Sequence, residues 1–174
     1  MPNPECRPRD FPPVTTLDFR MRIALAADHR GYAGIKQLQE KLSREGHEVT
    51  VCGDISGPPA DYPERAYLVG QAVAGGKADL GILLCGTGIG MSIAANKVPG
   101  VRAAVVHDEL TAQLSRSHNA ANVACMSADL LGQRIIEKIA DVFIKTEFEG
   151  GRHTRRIHKI EAIEKGKDPF AVAE

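Results

Sequence analysis

The sequence has no tryptophan and few aromatic residues of any kind, 5% over 174 positions. Its core must therefore be built from isoleucine, leucine, valine and alanine. There is no excess of charge either, since 22 basic residues balance 22 acidic ones. That excludes a surface made chiefly for nucleic acid or an anionic membrane. No apolar run approaches the roughly 18 residues of a bilayer span. None of the four cysteines (Cys6, Cys52, Cys85, Cys125) belongs to a CxxC pair. The N-terminus lacks the apolar region of a secretory signal, so a reduced, cytoplasmic protein is expected. Histidines, cysteines and carboxylates nowhere fall at metal-ligand spacing, so neither metal nor cofactor is expected.

Glycine, in contrast, is concentrated in one place. The apolar run Ile82-Leu83-Leu84 ends in Cys85, and Gly86-Thr87-Gly88-Ile89-Gly90 follows directly. An unbroken apolar run reads as a buried parallel strand. Glycines after it let the backbone turn tightly and aim several N–H groups at one spot. The segment from Ser92 to Asn96 then reads as helix, whose start adds further free N–H groups. A Walker A loop is excluded, because no Gly-Lys-Ser/Thr follows. The dinucleotide fingerprint fails as well, its third glycine being replaced by Met91. The remaining readings are a tight connection or a site for an oxyanion. A thiol at a strand end facing a helix start is a reactive one, and that favours the oxyanion. Cys52 and Cys125 lack such a loop and read as core.

Around this centre, strand and helix signals alternate. Strands are expected at 22–27, 48–52, 80–85, 101–106 and 123–126. Helical spacing links Ile35, Leu38 and Leu42 up to Gly46 as a C-cap, and Pro63 opens a helix running to about Gly75. Further helices carry Leu110 and Leu114, then Ile135, Ile136, Ile139, Val142 and Phe143, and finally Ile157, Ile160 and Ile163. Five strands separated by helices predict an α/β protein, a doubly wound parallel five-stranded sheet with helices on both faces. The length suits one domain. Residues 1–20 hold five of the ten prolines and read as a loosely attached extension before a domain at 21–165. Met21 is a candidate start, and 166–174 reads as a C-terminal tail.

Ligands of such sheets bind beyond the carboxyl ends of the strands. Asp28, His29, Cys85, the glycine loop and His107 all fall there. Each has a plainer reading. Asp28 could cap the next helix, Asp108 reads as a helix cap, and His118 suits a helix end. Arg152 and Arg156 share one helical face beside Arg155, which is either solvated or a grip for phosphate.

Together these stretches resemble the ribose-5-phosphate isomerase B family, which includes the galactose-6-phosphate isomerase subunits. The resemblance rests on Asp28-His29-Arg30-Gly31, Asp61-Tyr62-Pro63, the loop from Cys85 through Ser92 into Ala94-Ala95-Asn96-Lys97, Leu114-Ser115-Arg116-Ser117-His118-Asn119, and Glu149-Gly150-Gly151-Arg152-His153. It implies a Rossmann-like sheet and a homodimer, or a dimer of dimers, with active sites between subunits. It implies aldose–ketose isomerisation of a sugar phosphate through an enediolate, with ribose 5-phosphate and ribulose 5-phosphate as the expected pair. Cys85 would be the base. Thr87 and the amides of Gly86, Gly88, Ile89 and Gly90 would hold the enediolate oxygen, and His118 would assist ring opening. Asp28, Tyr62 and Asn119 would contact sugar hydroxyls, and His29, Arg152 and Arg156 the phosphate. In one respect the chain departs from the family pattern. Asp129 stands where many members carry a phosphate-binding arginine, so either it points away or the substrate is held differently. The alternatives are another aldose phosphate, of four or six carbons, and a phospho-ligand-binding module without catalysis.

Overall fold

In a computed structural model, which describes residues 20–172, strands and helices alternate as the spacing implies. β1 is Arg22–Ala27, α1 Tyr32–Arg44, β2 Glu48–Val51, α2 Tyr62–Ala74, β3 Leu80–Cys85 and α3 Ile89–Ala95. They are followed by β4 Ala103–Val105, α4 Glu109–Ser117, β5 Val123–Ser127, α5 Gln133–Lys145 and α6 Arg152–Glu164. The strands form one parallel sheet in the order β2-β1-β3-β5-β4. The fold is thus the expected Rossmann-like one. Most of the proline-rich extension lies outside the described residues. The expected C-terminal tail is described to residue 172 and includes a 3₁₀ turn, Pro169–Ala171.

Strand side chains alternate between two apolar layers. Ile23, Leu25, Ile82, Leu84 and Met126 pack with Ile35 and Leu38 of α1 and with Ile139 and Phe143 of α5. Ala24, Ala26, Leu83, Cys85 and Cys125 pack with Val69 of α2 and Met91 of α3. The small alanines on the second face let α2 and α3 lie close over the end of β3. That face positions the site.

Helix ends follow local chemistry. Asp108 is the N-cap of α4, its side chain accepting from the Thr111 N–H at 2.6 Å while Thr111 Oγ1 accepts from the Asp108 N–H at 3.3 Å. After α1 the chain reverses at Gly46, one residue later than the cap Glu45. Asp28 caps nothing: the N-cap of α1 is Gly31. The Asp28 carboxylate instead accepts from the Arg30 N–H at 2.9 Å, holding the turn after β1.

Two expectations change at the edges. β4 is shorter than 101–106, and all three of its residues are only half-buried, because β5 alone pairs with it. Several helical apolar residues face outward: Leu110, Ile135, Ile160 and Ile163 are exposed, as are Ile89 and Ile93 of α3. Periodicity identifies a helix, but it does not say whether its apolar side is covered by the same chain.

Candidate active site

Cys85 closes β3, almost fully buried at 5% exposure. The chain turns at once, and the Gly88 N–H returns to donate to Cys85 Sγ at 3.1 Å. This return needs φ = +80° at Gly88, where a side chain is strained. It also needs empty space, since a Cβ there would stand 3.1 Å from the Cys125 carbonyl oxygen in β5. Gly88→Ala is therefore expected to cost at least ~1–2 kcal/mol for the left-handed conformation alone. In a chain this long that lowers Tm by roughly 2–4 °C per kcal/mol, and activity should fall with it as the amide leaves the sulfur. Thermal unfolding and an activity assay on the same variant check both.

The loop supplies further donors. Gly90 and Met91 occupy the first turn of α3, where backbone N–H groups have no helical partner. Thr87 is exposed, and its Oγ1 accepts from the Ile89 N–H at 3.3 Å. The Tyr62 ring, at the start of α2, packs on Gly90 so closely that a Cβ would be 2.7 Å from it. Asp28 is buried at the end of β1, its N–H donating to the Leu84 carbonyl at 3.2 Å. His29 beside it is exposed. These residues gather at the carboxyl end of the sheet. His107 follows β4 at the same edge but two strands from β3.

Asp129, after β5, does not point away from this end. Its N–H donates to the Gly86 carbonyl at 3.2 Å, and its carboxylate is paired with Arg30. The negative charge expected to oppose a phosphate is thus matched by a guanidinium.

His118, Asn119, Arg152 and Arg156 lie elsewhere. α4 starts beyond the carboxyl end of β4 and runs back, about 13 Å at the usual rise, to the amino end of the sheet. There the Asn122 N–H donates to the Arg102 carbonyl, just ahead of β4. His118 ends α4, its ring stacked on His153 with centroids 4.2 Å apart and 8° between planes. Glu149 Oε2 is 3.8 Å from Nε2 of each ring. Arg152 Nε lies 3.3 Å from His153 Nε2, and Arg156 Nη1 3.5 Å from Nδ1. Burial first, then the charges of His118, Arg152 and Arg156, pushes the His153 pKa below its ordinary value, with Glu149 opposing.

Spacing along the sequence had shown no metal ligands, yet the fold brings one ligand atom each of His118, Glu149 and His153 within 4.8 Å of one another. Two guanidiniums against the His153 ring make that spot a poor one for a cation. Glu149 and His153 stand in the sequence only as the ends of the Glu149-Gly150-Gly151-Arg152-His153 stretch, with no role assigned to either. His153 lies one and three residues from the arginines. Asn119 is exposed and lines a cavity of about 630 Å³ with Arg102, Ile160 and Glu164.

A parallel sheet with a glycine loop at the end of its third strand is a Rossmann-like α/β protein with a site at its carboxyl edge. Residues 23–160 match a family model described as Ribose/Galactose Isomerase. Ribose-5-phosphate isomerase B of Escherichia coli is 42% identical over 147 residues, covering 84% of this chain and 99% of that protein. The solved structure of the Clostridium thermocellum ribose-5-phosphate isomerase B superposes with a TM-score of 0.82 at 42% identity, over 84% of this chain and 99% of that one. The Mycoplasma genitalium enzyme, solved with bound ribulose-5-phosphate, gives 0.79 at 46% identity, over 82% and 95%. The chain belongs to the ribose/galactose isomerase family, and it is a sugar-phosphate aldose–ketose isomerase.

Proposed function

We propose that the chain interconverts ribose 5-phosphate and ribulose 5-phosphate, by proton transfer through an enediolate and without a metal ion. The observation that carries this reading is the Cys85 sulfur, buried at the end of β3 with a backbone amide on it. The Cys85 thiolate takes the C2 proton of the open-chain aldose, and the electron pair moves onto O1. The proton is returned to C1 while the O2 proton passes to O1, leaving the ketose. Thr87 and the N–H groups from Gly86 to Gly90 hold the charged oxygen through the step, where fixed donors act most strongly. Asp28 and Tyr62 contact the sugar hydroxyls, and His29 the phosphate.

The rest of the site comes from a second copy. His118, Asn119, Arg152 and Arg156 stand at the opposite end of the sheet from Cys85, so one chain holds two half-sites. Ile93 of α3 and Leu110 and Leu114 of α4 leave an apolar face beside the edge strand β4. A two-fold dimer on that face runs α4 of each copy toward the Cys85 loop of the other, an isologous contact. His118 of the partner subunit then opens the furanose ring, and the partner's Arg152 and Arg156 bind the phosphate. The catalytic domain is residues 21–165, and a reducing cytoplasm suits its free cysteines, Cys52, Cys85 and Cys125.

Arg156→Ala is expected to raise KM about tenfold or more with kcat little changed, because phosphate stays bound from ground state to transition state. Steady-state kinetics decide it, an unchanged KM marking an ordinary solvated helix face. The sugar itself is tested by a panel of four-, five- and six-carbon aldose phosphates with a ketose assay. Ribose 5-phosphate should give the highest kcat/KM. Preference for a tetrose or hexose phosphate would move the assignment within the same chemistry.

A further inference from the structure

Arg30 and Asp129 approach the glycine loop from both sides of β3. Arg30 follows β1, Asp129 follows β5, and these strands flank β3. Their side chains meet over the residue after Cys85. Arg30 Nε donates to Asp129 Oδ1 at 2.9 Å, and Nη2 lies 2.8 Å from Oδ2. A Cβ on Gly86 would stand 2.9 Å from Asp129 Oδ2, so the fork rests directly on the glycine loop. The turn beneath is tied down as well. Ser127 Oγ donates to the Gly86 carbonyl at 2.5 Å, and the Ala128 N–H donates to the Cys85 carbonyl at 2.8 Å.

Stability is a poor reason for this arrangement. The two side chains are 54% and 35% exposed, and exposed ion pairs contribute little. Positioning is a better one. A bidentate fork occupies two of the five guanidinium N–H groups and fixes the plane of the rest. No described residue accepts from Arg30 Nη1. Arg30 is also a permanently charged cation on this edge. The arginines of α6 stand at the other end of the sheet.

We propose that Arg30, held in place by Asp129, binds the substrate's phosphate on the Cys85 side of the site and helps set the distance from phosphate to reacting carbons. The inference rests on the isomerase reading above. Asp129 is then the anchor of the anion site, its charge spent on Arg30, and Arg30 supplies the cation.

The test uses the full-length protein, inorganic phosphate and ribose 5-phosphate. Arg30→Ala should raise both the KM for ribose 5-phosphate and the inhibition constant of inorganic phosphate by about tenfold or more, with kcat within a few-fold. Arg30→Lys, which keeps the charge and loses the fork, should fall between. Asp129→Asn should weaken phosphate less than Arg30→Ala does. If Arg30→Ala does not fold, the Lys and Asn variants carry the comparison. An unchanged phosphate inhibition constant in folded variants, whatever happens to Tm or kcat, overturns the proposal and leaves a structural clamp. Should the wild type fail on every aldose phosphate, the isomerase reading falls. The anion site is then read separately, by whether phosphate slows alkylation of Cys85 by iodoacetamide in the wild type. Protection lost in Arg30→Ala upholds Arg30 as the anion ligand, and equal protection in both rejects it.

Discussion

Cys85→Ser is expected to lower turnover by a factor on the order of 10²–10⁴, the usual contribution of a positioned base, in a protein that stays folded. The serine hydroxyl is close to the thiol in size, so it can still accept from the Gly88 N–H that lies 3.1 Å from Sγ. It is far less acidic, and a hydroxyl that does not ionise cannot draw a proton from C2. Among the described residues, the neighbouring thiol cannot replace it. Cys125, fully buried in β5, is pushed well above the ordinary thiol range by its burial and by the proximity of Cys85. Circular dichroism and Tm should match wild type while kcat collapses. A folded variant with near-normal kcat removes Cys85 from the mechanism.

The second large effect concerns the divided site. Cys85→Ser and His118→Asn should each be nearly inactive alone, yet mixing them should restore activity. In a hybrid dimer with sites shared between subunits, one site combines both substitutions and the other has neither. Random exchange of equal amounts makes half the dimers hybrid, so recovery should approach about a quarter of the wild-type rate for a two-fold dimer. If each chain held a complete site, no hybrid would contain an intact one and mixing would restore nothing. Subunit exchange can be followed by native mass spectrometry before the assay, so absence of recovery is not confused with absence of mixing.

How far these features could be read in the sequence depended on their range. β1 and β3 and the glycine loop were legible because each is a local pattern, an apolar run or a cluster of glycines, whose meaning is set within a few residues. Asp108 was legible as a cap for the same reason. The Asp28 turn was less so, since an aspartate before a helix can cap it or bond two residues onward, and here it does the latter. The separation of His118 from Cys85 follows from topology, since α4 runs antiparallel to the strands and carries His118 to the amino end of the sheet. Among the sequence signals only the family resemblance, with its sites between subunits, pointed to it. The Arg30–Asp129 fork was invisible because its partners are 99 residues apart, and nothing in either neighbourhood names the other. The stacked pair His118 and His153 and the outward Leu110, Leu114 and Ile163 were hidden likewise, since helical periodicity is silent on which neighbour, or which subunit, covers a face.

Isomerisation of ribose 5-phosphate by the chain's own side chains would need no metal ion. The most direct measurement is ketose formation from ribose 5-phosphate by purified protein stripped with EDTA, with Cys85→Ser run in parallel. The expected result is ribulose 5-phosphate produced up to the equilibrium ratio at a rate unaffected by the chelator, and almost none from the serine variant. No ketose from the folded wild-type protein, or a rate that vanishes with EDTA and returns with a metal ion, would contradict it.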